Sequence, residues 1–170
     1  DKPGFDAAWQ HVKDGDSFYS KRGMWYNNAV NEYRAAYIYN NKNAELNYKL
    51  GVACLYSDKK ELASEYLLKA LSLKANVADD ILLLTGRALQ YKGQYNKGAE
   101  KINEWLSSEV KKTDEETAKA KRYLSECKSA ETVMKDTLEI EINNMGAQIN
   151  SSSDEYSEVL SNTGEKIYFA

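Results

Sequence analysis

A spacing of 34 to 35 residues recurs along this chain and restricts the folds open to it. Gly51 and Gly86 are 35 residues apart, Ala29 and Ala63 are 34 apart, and Ala63 and Gly98 are again 35 apart. Each interval holds two stretches with apolar residues at helical spacing, joined by a short polar break. Repeated helix–turn–helix units of this length indicate a solenoid, in which hairpins stack because one hairpin alone cannot bury its apolar face.

The apolar periodicity predicts six helices in three pairs, followed by a longer seventh helix. The predicted ranges are about 5–22, 25–40, 44–56, 59–73, 78–92, 95–107 and 114–135. Asn43 is a candidate N-cap for the third helix. Asp58 with Glu61, and Thr113 with Glu116, have the spacing of a capping box before the fourth and seventh helices.

These repeats resemble the tetratricopeptide repeat (TPR), whose motif has a Leu-Gly pair, a turn glycine, a small residue and a later alanine. The central repeat keeps Leu50, Gly51, Ala63 and Ala70. The third keeps Gly86, Gly93, Tyr95 and Gly98. The first keeps Tyr19, Gly23, Ala29, Tyr33 and Ala36, but has Gly15-Asp16 at the Leu-Gly position.

The resemblance implies an all-α fold over residues 5–136, with about three TPR-type hairpins and a C-terminal capping helix. There is a physical reason for a glycine in the Leu-Gly pair. A side chain at Gly51 would push its helix away from the second helix of the same hairpin, and such overpacking costs ~1–3 kcal/mol. The apolar stripe of the last helix and its charged opposite face suit the end of a stack, although a helix that starts a fourth repeat would look the same.

The character of the sequence changes at Thr137. Residues 138–142 alternate between apolar and acidic side chains and predict a strand, whereas 143–153 are rich in Asn, Ser and Gly. Residues 156–161 and 165–170 are strand candidates on either side of Asn162-Thr163-Gly164, a hairpin turn signal. We therefore expect a strand and linker at 137–155 and a first hairpin at 156–170.

The end of the chain resembles the opening of a WD40-like β-propeller of the PD40 type. The residues that carry the resemblance are Asn150-Ser151, Asp154-Glu155, Ser157, Ser161, Thr163-Gly164 and Ile167-Tyr168-Phe169. Glu158 stands where that family often has Pro, and Thr163 where it usually has Asp. TPR repeats followed by such a propeller occur in bacterial outer-membrane-associated lipoproteins, many with an OmpA-like peptidoglycan-binding domain and some serving type IX secretion. The resemblance implies a periplasmic, outer-membrane-associated location and a chain that stops inside a propeller.

Composition and single residues argue against several functions. The net charge is −3 with no basic stripe, so nucleic acid is not an expected partner. The only histidine, His11, has no second histidine for a metal pair, and no Gly-rich phosphate loop is present. Cys54 and Cys127 are 73 residues apart on apolar helix faces and are predicted to be buried. We expect no metal, no cofactor and no enzymatic activity in this chain.

In TPR stacks the first helices of the hairpins line a concave groove, and this implies a set of protein-binding residues. The set is Lys13, Ser17, Tyr48, Val52, Leu55, Tyr56, Leu83, Arg87 and Tyr91. Tyrosine and arginine are favoured at interface hot spots, which gives Tyr48, Tyr56, Tyr91 and Arg87 the most weight. The alternative is that Tyr56 and Tyr91 only pack against the next hairpin.

Three hypotheses about function follow. The first is a non-enzymatic protein–protein interaction scaffold of the bacterial cell envelope, which holds a protein or peptide in its groove. The second is a structural spacer that positions a propeller and a peptidoglycan-binding domain, with contacts to the outer membrane and peptidoglycan made only through segments absent from this chain. The third is an enzyme whose active site lies in residues after Ala170.

Overall fold

The structure, a computed structural model, describes residues 3–135, 159–163 and 165–168. These residues divide into a helical unit and a two-stranded unit, each described by itself. The helices are α1 (Phe5–Lys21), α2 (Tyr26–Tyr39), α3 (Ala44–Leu55), α4 (Lys60–Leu73), α5 (Ile81–Tyr91), α6 (Tyr95–Ser107) and α7 (Asp114–Lys135). A short 3₁₀ turn, Gly23–Trp25, separates α1 from α2.

The helical unit is a stack of hairpins. The pairs α1–α2, α3–α4 and α5–α6 make the most extensive contacts, each helix also packs on the next, and α7 packs on α6. The backbones of α3 and α5 approach each other, as do those of α5 and α7. In the described residues α2 and α4 meet instead through side chains, such as the rings of Tyr37 and Tyr66. The first helices α3 and α5 therefore lie closer together than the second helices α2 and α4, and the predicted solenoid architecture is confirmed.

Two of the predicted helix caps are present. The Asn43 side chain accepts a hydrogen bond from the Leu46 backbone N–H at 2.9 Å. Before α7, Thr113 Oγ1 accepts from the Glu116 N–H at 3.2 Å, and the Glu116 carboxylate accepts from the Thr113 N–H at 2.8 Å. The hydrogen bond from the Thr113 N–H, followed by the one from its hydroxyl, lowers the pKa of the Glu116 carboxyl.

Replacing Thr113 by alanine tests this capping box. We expect Thr113→Ala to lower the free energy of unfolding by about 1 kcal/mol at neutral pH, since an N-cap contributes that much. The lowered pKa means that the ionised Glu116 stabilises the fold above its unfolded-state pKa, and that this contribution is lost as the pH falls. Urea denaturation should therefore show a smaller difference from the wild type in acid. Ser125→Ala, an exposed change within α7, is the control, and an equal loss in both variants would contradict the prediction.

Two helix starts differ from the predictions. The predicted Asp58 cap is wrong: α4 begins after Lys59, and Ser57 Oγ accepts the hydrogen bond from the Lys59 N–H at 3.0 Å. The fifth helix begins at Ile81 rather than near residue 78. Asp80 precedes it without capping it, because its carboxylate accepts a hydrogen bond from the Tyr48 hydroxyl at 2.7 Å.

Glycines allow the two helices of each hairpin to approach closely. A Cβ at Gly51 would lie 2.7 Å from Leu67 Cγ and 3.1 Å from the Leu67 backbone nitrogen. A Cβ at Gly86 would lie 2.5 Å from Ile102 Cγ1 and 2.8 Å from the Gly98 carbonyl oxygen. Any side chain at these two positions would push the paired helices apart, as predicted for Gly51.

Gly15 has the same role in the first hairpin. A Cβ there would lie 2.5 Å from Tyr33 Cε1, and Tyr33 is fully buried at the position that Leu67 and Ile102 occupy in the later hairpins. In the structure Gly15 therefore takes the place of the glycine of the Leu-Gly pair, and Asp14 precedes it where the motif has leucine. The close approach is kept in all three hairpins.

The core runs through the stack. One cluster of buried side chains joins the first two hairpins to α5 and includes Val30, Leu50 and Leu67. A second joins α5, α6 and α7 around Ile102 and Trp105. Both cysteines are buried as predicted, and burial raises the pKa of the Cys54 thiol to about 12. Both cysteines therefore pack in the core as small apolar side chains.

The second unit contains two short antiparallel strands, β1 (Val159–Leu160) and β2 (Ile167–Tyr168). Val159 pairs with Tyr168, and the Ser161 N–H donates to the Lys166 carbonyl at 2.8 Å. The predicted hairpin around residues 162–164 is therefore present in its described part. The predicted strand at 138–142 and the linker at 143–153 lie outside the described residues. The domain limits 137–155 and 156–170 stay predictions.

Candidate functional site: the inner face of the solenoid

The candidate site is the inner face, which we define as the surface formed by the first helices α1, α3 and α5 together with α7. Of the nine residues predicted to bind a partner, Lys13 and Ser17 are exposed on α1. Tyr56 and Tyr91, at the ends of α3 and α5, each expose 45% of their surface. Tyr48 and Arg87 are half-buried. These six residues offer surface to a partner.

The other three predicted residues, Val52, Leu55 and Leu83, are buried in the core. The reason is the position of their helices in the stack. Because α3 has neighbours on both sides, every residue from Leu50 to Leu55 is buried, whichever side of the helix it occupies. Their side chains pack within the solenoid, so only the other six predicted residues are accessible at the inner face.

Arg87 is held by groups of the protein itself. Its guanidinium pairs with the Glu126 carboxylate and donates to Gln90 Oε1 at 2.8 Å. It also lies 4.7 Å from the ring centroid of Tyr91 and 4.3 Å from that of Tyr123. Burial alone would lower the pKa of Arg87, but the Glu126 and Tyr91 contacts outweigh it and raise the pKa. Arg87 thus joins α5 to α7 and orients the Tyr91 ring.

Tyr48 also has a partner within the chain, Asp80. Burial, followed by the hydrogen bond to Asp80, raises the pKa of the Tyr48 hydroxyl well above its usual range. A similar tyrosine–aspartate pair lies in the first hairpin, where the Tyr33 hydroxyl donates to Asp16 at 2.6 Å. Lys49 Nζ lies 2.9 Å from the Asp16 carboxylate, so this pair is completed by a cation.

Two further tyrosines adjoin this surface, Tyr19 of α1 and Tyr26 of α2. Tyr19 is named in the sequence only as a position of the repeat motif, and Tyr26 is not among the predicted site residues. Their rings are 5.5 Å apart, and the Tyr26 ring lies 5.3 Å from that of Tyr56. The pKa of Tyr19 is raised to about 12 by burial and then by Tyr26, Tyr56 and Asp80. No short motif predicts this convergence, because it joins α1, α2 and α3.

A separate cleft lies between α1, the end of α2 and the start of α3. It has a volume of about 160 Å³ and is lined mainly by apolar side chains, including Val12, Ala36 and Leu46. Phe5 and Trp9 stand at its edge with about half of their surfaces exposed. None of these residues was among the predicted partner contacts.

The described residues carry no other recognisable centre. His11 Nδ1 lies 2.7 Å from Glu32 Oε2, which links α1 to α2 at a partly exposed site. In the parts of the chain that the structure describes, no three His, Cys, Asp or Glu side chains are placed to hold a metal ion. Likewise, no described helix combines the length and the apolar character needed to span a bilayer.

Comparison with known proteins places this fold. No family model and no curated protein matches the sequence. Among solved structures, the type III secretion chaperone SycD of Yersinia enterocolitica, in complex with a peptide of the translocator YopD, matches with a TM-score of 0.59. It is 13% identical, over 77% of this chain and 99% of that chain. MamA matches with a TM-score of 0.54 at 18% identity, over 80% of this chain and 84% of that chain.

At this level of identity the likeness defines the fold class. The chain is a TPR-like helical solenoid, with three hairpins and a terminal helix. Its repeats were found from the glycine and alanine spacing, and the same spacing accounts for the close helix contacts in the structure.

Proposed function

We propose that this protein is a non-enzymatic scaffold that binds a protein or peptide on the inner face of its solenoid. The observation that carries the proposal is the row of tyrosines on that face. Tyr56 and Tyr91 leave nearly half of their surface uncovered, although the residues that precede them in α3 and α5 are buried. Aromatic residues that are rigidly held and partly exposed are the usual anchors of protein interfaces.

A structural neighbour supports this assignment. The SycD chaperone has been solved in complex with a translocator peptide, so a solenoid of this fold is able to bind a peptide. In the present chain the ring of Tyr91 lies between Arg87 and Lys60, whose Nζ is 5.3 Å from the ring centroid. A side chain fixed in this way loses little conformational entropy when a partner binds.

Photocrosslinking at the inner face tests the proposal. A photoreactive phenylalanine derivative at position 56 of the full-length protein should form a discrete adduct in cells of the source organism. The same group at Leu68, an exposed residue of α4 with 41% of its surface uncovered, is the control. Tyr91→Ala should reduce the adduct at position 56 at least tenfold, as expected for loss of a hot-spot residue. Equal adducts at both positions would contradict the proposal.

The cellular setting is part of the proposal. We place the scaffold in the periplasm in association with the outer membrane, in an envelope or type IX secretion assembly. Support comes from the resemblance of residues 149–170 to the start of a PD40-type propeller. The described part of this segment contains the antiparallel pair β1–β2. Fractionation of source cells is the test, and recovery only with cytosolic proteins would contradict this placement.

A structural spacer is the second candidate function. It is favoured by the internal engagement of Tyr48 and Arg87, whose polar groups are bound to Asp80 and Glu126 of the same chain. A spacer would hold a propeller and a peptidoglycan-binding domain apart with an unused inner face. The crosslinking experiment separates the two functions, because a spacer gives no adduct that depends on Tyr91.

A further inference from the structure

Four tyrosines and one carboxylate converge on the inner face. The tyrosine cluster consists of Tyr19, Tyr26, Tyr48 and Tyr56. The rings of Tyr19, Tyr26 and Tyr56 follow one another at 5.5 and 5.3 Å between centroids. The Tyr48 hydroxyl donates to Asp80 Oδ1 at 2.7 Å, and Tyr48 lies close enough to Tyr19 and Tyr56 for them to add to the burial that raises its pKa. The hydrogen bond joins α3 to the residue that precedes α5.

Asp80 has no cationic partner in the described part of the chain. Its carboxylate is half-buried, it caps no helix with its side chain, and no Lys, Arg or His nitrogen of the described residues lies within 4.0 Å. Only Tyr48 donates to it from a described side chain. A partly desolvated carboxylate with one neutral donor retains capacity for a charged one.

The preceding hairpin shows how such a pair is completed. Asp16 accepts from the Tyr33 hydroxyl just as Asp80 accepts from Tyr48, and Asp16 in addition holds Lys49 at 2.9 Å. No cation of the described residues pairs with Asp80 in this way. An ammonium or guanidinium would pair with Asp80 as Lys49 does with Asp16.

We propose that the partner bound on the inner face supplies a lysine or arginine side chain, which pairs with Asp80 and lies against the rings of the tyrosine cluster. This inference rests on the proposed function. The negative faces of tyrosine rings attract cations, and the effect is larger at partly desolvated sites. Burial, followed by the hydrogen bond to Asp80, raises the pKa of the Tyr48 hydroxyl, so this group stays protonated and donates to the Asp80 carboxylate.

Two cations of the chain lie at the margins of this site. Arg22 beside Tyr19 and Lys119 beside Tyr56 each partly offset the burial that raises the pKa of the neighbouring tyrosine hydroxyl. Both side chains are exposed, and neither forms an ion pair with the Asp80 carboxylate in the described structure.

A peptide array tests the inference. Immobilised random decapeptides, each made with Lys, Gln or Glu at its centre, are probed with the complete chain. The wild type should bind the lysine versions about tenfold more strongly than their glutamine counterparts, since a hydrogen bond between charged groups contributes that much. Asp80→Asn should bring this ratio close to one. Glu104→Gln, which removes the same charge from exposed α6, should leave the ratio unchanged.

The outcomes separate this inference from the proposed function. Peptide binding without a lysine preference, or with a preference that survives Asp80→Asn, would overturn the inference and leave the scaffold function intact. If no peptide binds and position 56 forms no adduct, both are overturned. A measurement on the wild type covers the case of a variant that fails to fold. Nα-acetyl-lysine amide should shift the NMR signals of the tyrosine cluster and Nα-acetyl-glutamine amide should not, and equal shifts would contradict the inference.

Discussion

Gly86→Val should lower the free energy of unfolding by about 3 kcal/mol, one of the two largest effects that we expect from a single substitution. The first atom of any side chain at this position would lie 2.8 Å from the Gly98 carbonyl oxygen and 2.5 Å from Ile102 Cγ1. A backbone oxygen cannot rotate away, so α5 and α6 must separate. Overpacking costs ~1–3 kcal/mol and sometimes more, and the branched side chain places this variant at the upper end.

Urea denaturation followed by circular dichroism measures this effect. Ala118→Val, on the exposed side of α7, is the matched control, because it adds a valine to a helix without a steric conflict. Its expected cost is below about 0.7 kcal/mol, the range of helix propensity. Gly51→Val should fall between the two, since its closest neighbour is the Leu67 side chain, which is able to move. Similar losses for Gly86 and Ala118 would show that the close helix approach is absent in solution.

The sequence predicted the fold well because the fold depends on local features with a clear pattern. Small residues recur where helices approach, and the apolar periodicity placed α6 at its observed limits. Asn43 and Thr113 mark helix starts by hydrogen bonds within three residues. The Asp58 cap failed because α4 begins one residue later than predicted, after Lys59, whose N–H donates to Ser57 Oγ. Spacing alone does not show at which of several adjacent polar residues a helix begins.

The candidate site was less predictable because it depends on contacts between hairpins. The position of a residue on a first helix did not reveal whether its neighbours would cover it, as they do for Val52 and Leu83. Nor did it reveal that Asp80 would turn to Tyr48 of the previous hairpin instead of capping α5. Those outcomes depend on how successive hairpins are rotated, which sequence spacing fixes only approximately.

Trp105 illustrates the same difficulty in the core. The repeat motif predicts Tyr95 and Gly98 in the sixth helix but gives no role to Trp105. In the structure Trp105 is almost completely buried and Leu106 is only half-buried. The indole lies in the cluster shared by α5, α6 and α7, and its Nε1–H donates to the Asp79 carbonyl at 2.9 Å. Trp105 therefore stabilises both the terminal helix and the segment before α5.

Trp105→Ala should lower the free energy of unfolding by about 4 kcal/mol, because it removes a large buried side chain and leaves a cavity. Trp105→Phe keeps most of the ring volume and loses the hydrogen bond to Asp79, so its cost should be nearer 1–2 kcal/mol. Hydrogen exchange adds a regional readout. In Trp105→Ala the amides of α7 and of residues 79–84 should lose protection before those of α1 and α2, since only the former pack around the indole. A uniform loss of protection along the chain would show that the two core clusters unfold as one unit.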